Sequence, residues 1–403
     1  MRPRSILLVL TVTATVCSLS LACSHSPSEH SPSESSAASG SIPRLGFNEP
    51  ADTVTEIAAL RRTVRLLPNA PDNRLQLAEA LLRVGDLDAA VEECRTAITL
   101  QPDDGNAHLQ LGLMLMAKQE WRAAASALGE AIRLEPNLPH AHYSLGSVQY
   151  SLGNVTTAIQ SYRRTLELRP HFPDAHYRLA LLLRVAGRTR EAAQHLETAA
   201  ASGVPQARLF LGNAYQTGQG VEKSLGLAIF WWMQAADLGQ QTASDSLSKV
   251  RRQALSSEST KQRRMEWQSA LQIYRNTLWN DFPNISRPSE PQSLGKVLLE
   301  QNRAGEAVPI LLKECFALSE EAHAELATLY ETGWDQYLKP FDKNILTCFQ
   351  TTSADGFIPA KKILTRIYAK GLGLDADIPK AKALLKSLPK QDTQSLLDEL
   401  GFH

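Results

Sequence analysis

The chain has 403 residues, and its 42 Lys and Arg balance 42 Asp and Glu, giving a formal charge of zero. This length exceeds one ordinary domain, and a chain without a basic excess is not built as a dedicated nucleic-acid binder. An apolar fraction of 43% is sufficient for a packed core.

Residues 1–22 read as an export signal. Arg2 and Arg4 form a positive start, and Ile6 to Val16 is mostly apolar and uncharged. The uncharged stretch from Ser5 to Cys23 covers 19 residues but is diluted by Ser and Thr, which fits a cleaved signal better than a membrane span. It ends on Leu19-Ser20-Leu21-Ala22-Cys23, which resembles the lipobox of bacterial lipoproteins. Cys17 does not fit that pattern, because Val16 precedes it. The resemblance implies cleavage before Cys23 and a diacylglyceryl chain on its thiol. Acyl chains add ~0.8 kcal/mol per buried methylene, so two or three of them anchor a soluble body to a membrane. Ser24, rather than Asp, after the cysteine implies sorting to the outer membrane, facing the periplasm. The alternative is an ordinary secretory signal with a chance cysteine.

Residues 23–50 form the expected tether. Ser24 to Ser41 contains no large apolar residue, so it cannot bury a core and is expected to be disordered. Loss of Arg2 and Arg4 with the signal leaves a net charge of −2.

Residues 51–204 repeat with a fixed period. Pro68, Pro102, Pro136 and Pro170 are each 34 apart, as are Leu77, Leu111, Leu145 and Leu179, and Ala90, Ala124, Ala158 and Ala192. Within each unit apolar residues recur at three and four, the helical period. Gly85, Gly153 and Gly187 stand where a first helix should end, and the prolines close each second helix. A single helix over 52–67 precedes four units starting at Pro71, Gly105, Pro139 and Pro173. A 34-residue helix pair is the tetratricopeptide signature, and the array resembles that family strongly. One such pair cannot bury its apolar face alone, whereas stacked neighbours can.

After Val204 the pattern lengthens. Leu211-Gly212, Tyr215, Gly218, Gly220, Ala228, Trp231-Trp232, Ala235-Ala236 and Gly239 resemble a Sel1-like repeat over 205–239. Leu364, Tyr368, Gly371, Gly373, Ala381 and Leu384 resemble a second copy, and Leu326 to Ala354 a degenerate one. Residues 240–291 are expected to be a connecting helix and loop, either joining the two arrays or marking a break between them, and 292–403 degenerate repeats closed by a capping helix. With no alternating strand pattern, the expected fold is all-α, a solenoid of stacked antiparallel helix pairs.

In the tetratricopeptide family the concave face binds partners through set positions of each first helix. Carried onto this chain, those positions include Leu75, Leu109, Tyr143 and Tyr177; Leu113 and Leu181; and Met116, Tyr150 and Arg184. This strip is apolar and aromatic, the composition of an interaction groove. Leu75 and Glu79 depart from the family's clamp for a peptide carboxylate, so an extended or helical apolar segment is the better-matched ligand.

The chemistry-bearing residues read as structural. His108, His142 and His176 recur one per unit, roughly 10 Å apart at usual helix spacing, which is too far for shared zinc ligation. Ser246-x-x-Lys249 and Ser293-x-x-Lys296 match one of the three motifs of the serine acylases, but the Ser-Asp-Asn and Lys-Thr-Gly partners are absent. No phosphate loop and no His-Glu-x-x-His occurs. No catalytic residue, metal or small-molecule cofactor is therefore expected. Cys94 reads as a core residue. Cys315 and Cys348 fall in second helices of adjacent units and can pair only if their Cα atoms come within ~7 Å. Lys249, Arg251, Arg252, Lys261, Arg263 and Arg264 form the one basic cluster, a solvated helix face or a dock for anionic headgroups or polysaccharide.

The sequence thus points to a non-enzymatic, lipid-anchored scaffold in the bacterial envelope, holding partner proteins in its groove. Mixed repeats of this kind resemble scaffolds of exopolysaccharide export, pilus and secretion assemblies. The alternative is an envelope enzyme or binder acting on peptidoglycan, saccharide or β-lactam, with Trp231, Trp232 and Trp334 as saccharide-stacking candidates.

Overall fold

The computed structural model of the chain describes residues 50–256, 261–287, 292–335 and 337–401. The expected signal, Cys23 and almost all of the expected tether lie outside the described residues. No helix among the described residues is long and apolar enough to cross a membrane.

The described residues form an all-α repeat solenoid. Helix α1 (Pro50–Leu66) leads into four helix pairs: α2 and α3 (Pro71–Val84, Leu87–Leu100), α4 and α5 (Gly105–Ala117, Trp121–Leu134), α6 and α7 (Pro139–Ser151, Val155–Leu168), and α8 and α9 (Pro173–Val185, Thr189–Ala201). Next come α10 and α11 (Pro205–Thr217, Leu225–Ala236) and two longer helices, α12 (Gln241–Leu255) and α13 (Lys261–Asn280). The C-terminal pairs are α14 and α15 (Leu294–Glu300, Ala304–Phe316), α16 and α17 (Glu320–Thr332, Lys343–Ala354), and α18 and α19 (Ile358–Lys370, Ile378–Lys386), with α20 (Lys390–Leu400) last. The described residues include no strand, only an isolated bridge between Trp334 and Leu338 in the α16–α17 connection.

The turns explain the period. Pro71, Pro139, Pro173 and Pro205 open their helices, where a missing N–H costs nothing and φ is preset. The turn inside each tetratricopeptide pair closes with a six-to-one hydrogen bond: Asp86 N–H to Leu81 O, Glu120 to Leu115, Asn154 to Gln149 and Arg188 to Leu183, at 2.8–3.0 Å. That turn needs one left-handed residue. Gly85, Gly153 and Gly187 supply it, but in the second unit Gln119 adopts φ +61° in the same place.

Close approach within pairs depends on small residues. An added Cβ on Gly146 would stand 2.9 Å from the Tyr162 ring, and one on Gly212 would stand 2.6 Å from Trp232. Trp232 is fully buried, and its indole N–H donates to Asn213 Oδ1 at 3.0 Å. Burying a side chain of Leu or Phe size is worth ~1.5–3 kcal/mol, so these ring-over-glycine contacts are major fastenings of their pairs.

Residues 240–291 join the arrays rather than separate them. The expected single helix here is two, α12 and α13, and α13 packs against α11. One core runs from Ala228 in α11 through Leu247, Trp267, Tyr274 and Leu298 to Ala381 in α19. A buried ion pair adds to it: Arg251 Nε donates to Asp355 Oδ2 at 2.7 Å and its NH1 to Phe316 O at 2.8 Å, both side chains being about 95% covered. The basic cluster is therefore not one solvated face, because Arg251 points into the core. Burial pulls its pKa down, and Asp355 opposes that.

Candidate interaction groove

The expected strip occupies the first helices α2, α4, α6 and α8, and its members differ in access. Leu75 and Leu109 are buried, in one core with Ile57 and Val64 of α1. A leucine at this position is short enough to be covered by its neighbours, so these two residues stabilise the stack and offer little surface. In the third and fourth units the same position carries Tyr143 and Tyr177, which are too long to be covered and remain half-buried. Leu113, Met116 and Leu181 are also half-buried. Tyr150 is half exposed, and Arg184 is exposed.

The two tyrosines sit in an aromatic row that sequence spacing did not reveal. Tyr143 stacks on Phe172, with centroids 5.0 Å apart, and lies 5.6 Å from Tyr162. Tyr177 meets Phe210 of α10 at 6.1 Å, and the Arg184 guanidinium lies 4.5 Å over the Phe210 ring. Such ring pairs and cation–π contacts hold side chains in fixed orientations, and preset orientation lowers the entropy lost on binding. The signal for Phe172 was its place just before Pro173. Phe210 was hidden because the fourth unit is two residues short, which shifts the register. Burial pushes the Tyr177 phenol up in pKa, so this ring stays neutral and the charge of the row is that of Arg184.

The recurring histidines form a latch. His108, His142 and His176 each place Nε2 at 2.9–3.1 Å from the carbonyl oxygen of the proline six residues earlier, Pro102, Pro136 and Pro170. In the first unit Arg74 makes the same contact to Pro68. A donor at the fourth position thus caps the preceding turn in all four units, which accounts for these histidines without metal. His176 also places Nδ1 2.8 Å from His195 Nδ1.

The remaining candidates are structural. Ser293 is buried; its hydroxyl donates to Glu314 and accepts from Lys296 N–H as a helix N-cap. Ser246 bonds back to Thr242 O. Trp232 is enclosed, while Trp231 and Trp334 are half-buried. Cys94 is buried in α3, and burial pushes its thiol up to about 12, so it is an inert core residue. Cys315 and Cys348 are joined in a disulfide, with Cα atoms 6.6 Å apart. Beside them lies His323, a neighbour the sequence did not indicate.

Comparison with known proteins agrees with these repeats. Tetratricopeptide-repeat models match residues 71–114, 109–173 and 151–211, and the Sel1-repeat model matches 205–240 and 366–387. No curated protein matches the chain. Similar solved structures include MamA, at 28% identity over 37% of this chain and 87% of that one, with a TM-score of 0.35. YrrB, described as a TPR protein with an unusual peptide-binding site, is 20% identical over 47% of this chain and 98% of that one, with a TM-score of 0.38. The Pseudomonas aeruginosa pilF protein is 19% identical over 52% and 87%, with a TM-score of 0.37. The described residues form an α-solenoid carrying tetratricopeptide and Sel1 repeats. Repeats of these two families suggest a protein–protein interaction scaffold.

Proposed function

We propose that the chain is a non-enzymatic, lipid-anchored scaffold of the bacterial cell envelope, holding segments of envelope proteins along its first-helix row. The observation that carries this reading is the row itself. Half-buried Tyr143, Tyr177, Leu113, Met116 and Leu181, with exposed Tyr150 and Arg184, give a largely aromatic and apolar surface, and interface anchors are enriched in Tyr, Met and Arg. Binding would come from shape and apolar contact with an extended or helical segment. The lipobox at Cys23 supports membrane attachment through lipid, on the outer-membrane leaflet facing the periplasm. The Ser/Pro-rich tether would raise the local concentration of the groove near that surface. An exopolysaccharide-export, pilus or secretion assembly is the setting such a scaffold fits.

Replacing Tyr143, Tyr150 and Tyr177 together with Ala tests the groove. Cross-linked capture from the native host should lose a reproducible set of envelope proteins while the helical circular dichroism is kept. Retained capture overturns the groove. Anchoring is tested separately by Cys23→Ser, which should move the protein from the membrane fraction to the soluble fraction.

A further inference from the structure

Three helices of the C-terminal array bring two sulfurs and an imidazole to one buried point. Cys315 ends α15, His323 lies in α16 and Cys348 in α17, and all three are fully buried. Their donor atoms lie within 4.8 Å of one another. Cys315 Sγ is 3.4 Å from His323 Nε2. Tetrahedral zinc, with Zn–S of ~2.3 Å and Zn–N of ~2.0 Å, holds a sulfur and a nitrogen ~3.5 Å apart and two sulfurs ~3.8 Å apart. The sulfur–nitrogen distance is already met. The cysteine Cα separation of 6.6 Å leaves room for two separate sulfurs once the bond between them is open.

The imidazole is prepared as a ligand. His323 Nδ1 lies 2.7 Å from Ser319 O, and since a carbonyl only accepts, Nδ1 carries the hydrogen. Nε2 therefore presents a lone pair toward the sulfurs. A backbone carbonyl on the far ring nitrogen is the usual outer support of a metal-bound histidine. Thr352 Oγ1 stands 3.0 Å from Nε2 and donates to Cys348 O at 2.8 Å; a neutral hydroxyl is not among the usual zinc ligands, so the chain supplies three donors. Phe349 and Phe357 flank the ring at 5.8 and 4.8 Å, giving the apolar shell that excludes water from a structural site.

We propose that Cys315, Cys348 and His323 form a latent metal site. With the disulfide reduced, the two thiolates and His323 Nε2 hold one thiophilic divalent cation of the zinc class. The sulfur–sulfur bond fastens α15 to α17, whereas the ion would fasten both of them to α16 as well, and each form excludes the other. Reduction adds two electrons and two protons across the bond. With a phosphine as reductant, phosphorus takes up an oxygen atom from water and becomes the phosphine oxide. Metal binding then releases the two thiol protons.

The test uses the full chain with Cys17→Ser, Cys23→Ser and Cys94→Ala, so that only these two cysteines remain. The protein is reduced with a phosphine, desalted without oxygen and titrated with Co2+ and then Zn2+. The expected result is one equivalent of Co2+ with thiolate-to-cobalt charge-transfer absorption, bleached by Zn2+ and absent from the oxidised protein. His323→Ala should weaken binding at least ~10–100-fold, the range seen for loss of outer-shell support alone. Free thiols in a helical, reduced protein with no charge-transfer band overturn the proposal, as does a band unaffected by His323→Ala. If reduction itself lowers the helical signal, Zn2+ restores it on this account; a signal that Zn2+ does not restore overturns it.

Discussion

Asp355→Ala is the sharpest stability test of the joined core. Asp355 at the end of α17 accepts from Arg251 Nε at 2.7 Å and from Ser248 Oγ at 2.5 Å, tying α12 to the C-terminal repeats across about a hundred residues of sequence. Removing the carboxylate leaves a guanidinium with one remaining acceptor, Phe316 O, in a site about 95% covered. Deleting one partner of a buried pair costs about 3–5 kcal/mol, because the other charge stays buried and unpaired. Arg251→Met combined with the same Asp355→Ala removes both charges and should recover most of that loss. The cycle should therefore show a coupling of ~2–3 kcal/mol. Urea unfolding followed by tryptophan fluorescence measures it, since Trp267 and Trp279 lie in this core. A cost below ~1 kcal/mol for Asp355→Ala, the range of exposed ion pairs, or additive single mutants, would refute the buried tie.

Three further outcomes are expected. Gly212→Ala drives a Cβ to 2.6 Å from Trp232; overpacking of this kind costs ~1–3 kcal/mol, read as a lower urea midpoint. Gln119→Gly should stabilise the second unit by roughly 0.5 kcal/mol, because a left-handed residue with a side chain costs ~1–2 kcal/mol and glycine returns part of that as unfolded-chain entropy; a lower thermal midpoint would contradict the turn assignment. Burial pushes the Glu314 carboxyl above the ordinary carboxylate value, against the hydrogen bond from Ser293 and the nearby Arg275 charge. Its contribution to stability is therefore full below the unfolded carboxylate pKa and declines as pH rises through the folded one. Glu314→Gln should flatten this fall of stability with rising pH, measured by urea midpoints across mildly acidic to neutral pH.

The repeat was legible because its signals are local. Prolines 34 apart, glycines at the turns and apolar residues at the helical period each act within a single helix pair. Tertiary contacts were less legible. Leu75 and Leu109 share the register of Tyr143 and Tyr177 but are covered by neighbouring helices, and only side-chain length separates the two outcomes. Arg251 looked like one of a row of surface cations, because its partner Asp355 stands 104 residues away. The left-handed Gln119 broke the glycine pattern without breaking the turn, since the flanking hydrogen bonds hold it. Cys315 and Cys348 were open to pairing on spacing alone. His323 beside them was unreadable, because nothing in sequence says which side of α16 faces a sulfur eight residues earlier.

The central claim is that the first-helix row is the surface that meets a partner. Photo-crosslinking from single positions in the native host tests it most directly, with the probe at Tyr150 on α6 in one strain and at exposed Ser126 on α5, a second helix, in another. A discrete protein adduct is expected from position 150, lost when Tyr143 and Tyr177 are replaced by Ala, and none from position 126. Adducts from position 126 alone, or from neither position, would contradict that claim.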